Sequence, residues 1–215
     1  MAEKARRYGR MRRVLHIVLT AVLFTGCVQN NDLTVANSTD ISTLDPFGMF
    51  SRIEVAFGDH LYQSLTFFND DMEVEPLLAT SWERLEGDTP WTFHLREGVQ
   101  FHNGEVFDAS VVKYSIEEYY TRNEAGQMVG GASVAVPSAD IIQVDIVDPY
   151  TVNITTNGPK ALLPFYLSQM WMIEPGFYRG TTDAERAEQV MGTGPYVVKE
   201  RIRDSHLTLA ANTNY

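Results

Sequence analysis

From Trp91 to Arg96 apolar and polar residues alternate one for one, so Trp91, Phe93 and Leu95 share one face of an extended strand, and that face needs a core to cover it. Glu97-Gly98 interrupts the run. The same alternation resumes in Val99-Gln100-Phe101-His102, which predicts a second strand after a short turn. Asn103-Gly104 turns the chain again, because both residues tolerate a positive φ. At Asp108 the period lengthens from two to about 3.6. Ala109, Val112, Ile116 and Tyr119 then recur at helical spacing, Asp108 is suited to cap the helix, and Lys113 stands one turn before Glu117.

A helical period also occurs upstream, where Ile53, Ala56, Phe57, His60 and Leu61 predict an amphipathic helix over residues 51–65, with Ser51 as its cap. Residues 33–36 read as a first strand, and Pro46 biases Asp45 towards an extended conformation. Residues 67–74 contain Asn69-Asp70-Asp71, a β-turn between two strands. Residues 121–139 are polar and carry Gly126, Gly130 and Gly131, which predicts a mobile loop or a broken helix. Residues 141–146 and 150–155 flank Val147-Asp148-Pro149 as a hairpin. Residues 159–173 are mostly apolar, residues 183–191 form a short helix behind a Thr-Asp start, and strands are expected at 197–200 and 205–211.

The first 27 residues have a different character. Lys4, Arg6, Arg7, Arg10, Arg12 and Arg13 precede an apolar run from Val14 to Phe24, too short to span a bilayer, and this layout is an export signal whose true start is Met1 or Met11. Leu23-Phe24-Thr25-Gly26-Cys27 resembles a bacterial lipobox, which implies lipidation of Cys27 and a membrane anchor; Phe24 stands where Leu is usual. Cys27 is the only cysteine, so neither an intramolecular disulfide nor a cysteine metal site can form. Formal net charge is -11, and beyond the signal 11 basic residues face 27 acidic ones. A surface that acidic argues against nucleic acid as a partner.

Candidate chemistry is sparse. Glu117 and Glu118 are neighbours on a helix and diverge by about 100°, so they cannot flank one bond. Asp70 and Asp71 lack the spacing of a calcium loop, and His94 and His102, although they could share a strand-pair face, have no third ligand nearby. Ser133 in Gly130-Gly-Ala-Ser-Val-Ala lacks the second glycine of a nucleophile elbow. Gly192-Thr-Gly-Pro-Tyr196 is followed by no Lys-Ser or Lys-Thr, and Pro195 removes a donor a phosphate loop would need. No catalytic constellation, cofactor site or metal site emerges.

Three strings together carry a family resemblance: Pro76-Leu-Leu-Ala-Thr-Ser-Trp82, Trp91-Thr-Phe-His-Leu-Arg-Glu-Gly-Val-Gln-Phe-His-Asn-Gly104, and Gly192-Thr-Gly-Pro-Tyr196. They resemble the family 5 extracytoplasmic solute-binding proteins, the peptide and nickel receptors of ABC importers. The resemblance implies an α/β, periplasmic-binding-protein-like (type II, cluster C) lobe with mixed sheets and flanking helices, the second lobe missing. It implies a signal over residues 1–26, a tether over 27–32, a first subdomain of residues 33–67 plus 185–215, and an inserted subdomain of 68–184. The implied function is capture of a di- or oligopeptide outside the cytoplasmic membrane by a monomeric, lipid-anchored, non-enzymatic receptor, and delivery to the transmembrane subunits of a permease. A nickel complex, a sugar or an opine are alternative solutes, and a secreted hydrolase lobe is the alternative of another class. The implied ligand-facing residues are Phe47, Met49, Phe50, Arg52 and Val55 in one segment and Gln169, Met170 and Trp171 in another.

Overall fold

The computed structural model describes residues 40–215 apart from 88, 128 and 134, and only the backbone of Ser133. The strand expected at 33–36, the export signal, the tether and Cys27 lie outside the described residues. A 3₁₀ turn, Pro46–Gly48, leads to helix α1, Arg52–Leu61. The helix stops short of residue 65 because Tyr62 takes up extended backbone, and Ser64 then bridges Trp171. Its buried face also differs from the expected one. Glu54, Gly58 and Leu61 point inward, while Ala56 and His60 are exposed.

Strands β1, Thr66–Phe68, and β2, Val74–Pro76, form a hairpin. In its turn the Asn69 side-chain oxygen accepts the Glu73 N–H at 2.9 Å, so Asp70 and Asp71 belong to a turn. Strands β3, Ala79–Arg84, β4, Pro90–Leu95, β5, Ile141–Asp148, and β6, Thr151–Thr156, build an antiparallel sheet in the order β3-β4-β6-β5. Strand β4 lies inside this sheet with Trp91, Phe93 and Leu95 buried. The strand expected at 99–102 does not form. Gly98, at φ +76°, and Gly104, at φ +87°, turn the chain twice in quick succession and leave room for a single bridge between Gln100 and Val106. The resulting loop is closed by Phe101 N–H to Glu105 O at 2.8 Å and Phe107 N–H to Val99 O at 3.0 Å, and both phenyl rings enter the core.

Helix α2, Ala109–Glu124, opens at Asp108, whose carboxylate accepts the Ser110 and Val111 N–H groups. Its buried side, including Val112, Ile116 and Tyr119, packs on β5 and β6. The segment that follows takes the broken-helix alternative. It forms a 3₁₀ turn, Gly130–Ser133, and helix α3, Ala135–Ala139, and buries Val129, Ala132, Ala135, Val136 and Ala139. Small apolar side chains allow this close packing. Helices α4, Leu163–Leu167, α5, Pro175–Gly180, and α6, Asp183–Arg186, follow; α6 ends before residue 191. Strands β7, Tyr196–Ile202, and β8, His206–Ala211, make a separate antiparallel ribbon.

Two apolar clusters hold these elements. The larger joins the four-stranded sheet to α2, α3, α4 and the Phe47 ring. The smaller gathers Ile41, Leu44, Met49, Leu61, Tyr62 and Trp171, with Val198, Leu207 and Leu209 of the ribbon packed against it. Every strand pair among the described residues is antiparallel. No described helix is long and apolar enough to cross a membrane.

Candidate functional site

The segment from Asp45 to Val55 is fixed at both ends. Asp45 has extended backbone, and its carboxylate caps the following turn by accepting the Phe47 N–H at 3.0 Å. The same oxygen accepts the Tyr178 hydroxyl at 2.6 Å, and the other oxygen takes Arg186 Nε at 3.4 Å. Arg186 is itself buried and donates to the Tyr178 carbonyl at 3.0 Å, to the Thr181 carbonyl and to Asp183. A charge in that position is tolerated because each side of the pair finds further hydrogen bonds. Leu44 N–H to Ala187 O at 2.9 Å and Tyr62 hydroxyl to Leu44 O at 3.0 Å complete the anchoring.

From this base the chain alternates inward and outward. Phe47 is buried edge-on to Tyr119 and Tyr178, with the Arg122 guanidinium 4.3 Å from its ring centre. Met49 is fully buried in the smaller cluster. Phe50 is 43% exposed, Arg52 is exposed and Val55 is half-buried. Beneath them Glu54 folds back over the helix start. Its carboxylate accepts Ser42 Oγ at 2.5 Å and the N–H groups of Ser42, Phe50 and Ser51 at 3.0–3.2 Å. Burial pulls the Glu54 pKa up, but these donors outweigh it and hold the group at about 2.

The second segment is mostly interior. Met170 belongs to the larger core. Trp171 stacks on Tyr62 with ring centres 5.6 Å apart and donates its indole N–H to Asp59 at 3.0 Å. Of the three, only Gln169 is half-exposed. Phe47, Met49, Met170 and Trp171 therefore stand behind the surface, whereas Phe50, Arg52, Val55 and Gln169 retain access to solvent. Two further residues join the first segment. Gly130, at φ +57°, sits so close to the Pro46 carbonyl that a Cβ would approach it to 2.2 Å, and exposed Gly131 lies against Val55. Their adjacent glycines beside Val129 and Ala132 are the sequence signal for that contact.

The remaining candidates separate. His94 stands 4.0 Å from Glu83, while His102 faces the Gly194 carbonyl at 3.2 Å, where burial lowers its pKa. Glu117 meets Lys113 at 3.5 Å and Glu118 meets Arg122 at 2.8 Å. Among the described residues no group of three or more His, Cys, Asp or Glu is placed to hold a metal ion. Gly194 N–H donates to Leu61 O at 3.0 Å, so the Gly-Thr-Gly-Pro-Tyr motif docks on the end of α1.

Residues 73–215 match the family model of bacterial extracellular solute-binding proteins, family 5. The chain belongs to this family. Among its family 5 relatives, an uncharacterized protein YhjP from Bacillus subtilis (strain 168) is 31% identical over 179 residues, 81% of this chain and 28% of the relative. The glutathione-binding protein GsiB of Escherichia coli (strain K12) is 26% identical over 194 residues, 89% of this chain and 36% of that protein. The periplasmic binding protein DppA from Helicobacter pylori, solved in complex with the peptide STSA, superimposes with a TM-score of 0.70 and 26% identity over 82% of this chain and 38% of its own. The chain thus spans between 28% and 38% of the length of these relatives, and within that span its fold is that of a family 5 solute-binding protein.

Proposed function

We propose that this chain supplies ligand-binding surface to the substrate-binding subunit of an ABC importer, and that its solute is a di- or oligopeptide captured outside the cytoplasmic membrane and delivered to a permease. Residues 1–26 act as the export signal, Cys27 carries a lipid anchor and residues 27–32 tether the lobe to it. The observation that supports the reading is the solvent access of Phe50, Arg52 and Val55 in a stretch whose backbone is fixed by the Asp45 and Glu54 carboxylates. Phe50 and Val55 offer apolar contact to varied side chains. Arg52 has no carboxylate partner among the described residues, which it shares with Arg96, Arg179 and Lys199, whereas Lys113, Arg122, Lys160, Arg186, Arg201 and Arg203 each have one. An unpaired cation on an acidic chain suits the carboxylate of a peptide. The names of GsiB, which binds glutathione, and of DppA, solved with a peptide, favour the same ligand class. Binding of this kind involves no covalent step.

Calorimetric titration with short peptides, free or amidated at the carboxyl end, tests the proposal. Arg52→Gln is expected to weaken free-acid peptides by about tenfold and to leave amidated ones unchanged. Equal effects on both, or no peptide binding by the protein, would overturn it.

A further inference from the structure

A concavity lined by no residue of the Phe50–Val55 segment lies between Leu77-Leu78, the loop at 96–100, Thr193 and Asn214-Tyr215, with a volume of about 400 Å³. Its deepest lining residues are Gln63, Leu78 and Thr193, all buried, and its rim is made of exposed Arg96, Glu97, Gln100 and Tyr215. The floor has unused hydrogen-bonding capacity. The Thr193 hydroxyl is buried and has no partner among the described residues. The Gln63 amide nitrogen donates to the Tyr215 hydroxyl at 3.1 Å, while its amide oxygen has no partner among the described residues. A buried hydroxyl left unpaired costs stability, so a native chain rarely keeps one without a use.

The rim supplies charge. Arg96 uses Nε to hold the Leu77 carbonyl at 3.0 Å, which fixes the guanidinium at the mouth, and its two remaining nitrogens have no partner among the described residues. Between rim and floor the walls are Leu77, Leu78 and Val99. We infer that this cleft is a second binding site, for a small organic acid whose carboxylate meets Arg96, whose apolar body lies on Leu77, Leu78 and Val99, and whose far end carries a hydroxyl or amide for Thr193 and Gln63. The inference stands independently of the peptide reading, since none of these residues belongs to the Phe50–Val55 face.

Amide-resolved NMR titration of the chain with para-hydroxybenzoate tests it, with benzoate and phenol as the probes that lack one polar end. At millimolar para-hydroxybenzoate, shifts are expected at Gly98, Gln100 and Thr193, and benzoate and phenol should each bind more weakly. Arg96→Gln should reduce affinity by about tenfold. Thr193→Val should leave the fold intact, because it removes an unpaired polar atom, and should erase the preference for para-hydroxybenzoate over benzoate. Absence of shifts at these amides, or shifts that Arg96→Gln leaves unchanged, would overturn the inference.

Discussion

Gly58 matters for the side chain it lacks. A Cβ at this position would lie 2.3 Å from the Trp171 ring and 3.0 Å from the Met49 sulfur. The ring cannot easily give way, being stacked on Tyr62 and held by Asp59. Gly58→Ala is therefore expected to destabilise the fold by about 1–3 kcal/mol, more than alanine's better helix propensity returns, as urea denaturation will show. Glu54 makes a second prediction at this scale. Its ordinary pKa of 4.5 falls to about 2 in the fold, so its contribution is complete above about pH 4.5 and is lost as pH falls towards 2. Glu54→Gln should cost about 1–2 kcal/mol near neutral pH, and the gap to the wild type should close across that window in a pH series of thermal melts. The hydrophobic pattern of residues 51–65 concealed both roles. It counted Ala56 and His60 towards the buried face, whereas a carboxylate that caps and a glycine that makes room occupy it. The spacing Ser51-x-x-Glu54 is the sequence sign of the cap.

Among the elements, those with a clean period were readable. Strand β4, the β5–β6 hairpin and helix α2 form close to where alternation or helical spacing put them, because one face of each is buried against a single core. One stretch was not, and another was readable only as far as two alternatives. Residues 99–102 alternate like a strand, yet glycine turns on both sides leave no partner strand long enough to pair with. Residues 121–139 were legible only as a mobile loop or a broken helix, and the burial of Val129, Ala132 and Val136 decides for the broken helix. The contact between the Gly130 turn and Pro46 is the element-scale consequence. Gly130→Ala must both abandon a left-handed φ and push against the Pro46 carbonyl, so it should lower the melting temperature and speed hydrogen exchange at amides 47–50. Unchanged exchange at those amides would show that the turn does not hold the candidate face.

At the scale of the molecule, the motifs around Trp91 and Gly192 made the family and its fold readable, because they occupy positions that the backbone itself dictates. The ligand was not readable, since affinity depends on which outward-facing residues converge. Four of the eight candidate residues turn out to be interior. These relatives are about two to three times as long as this chain, and a receptor that closes around its ligand divides the contacts between its parts. The 215-residue chain alone is accordingly expected to bind peptides more weakly than micromolar; a micromolar Kd measured on it would contradict that division of contacts. The most direct test of the central claim is an amide-resolved NMR titration of the chain with a mixture of short peptides at millimolar concentration. The account predicts shifts centred on Phe50, Arg52, Val55, Gly131 and Gln169 that persist in Arg96→Gln, and shifts confined to other surfaces, or none at all, would contradict it.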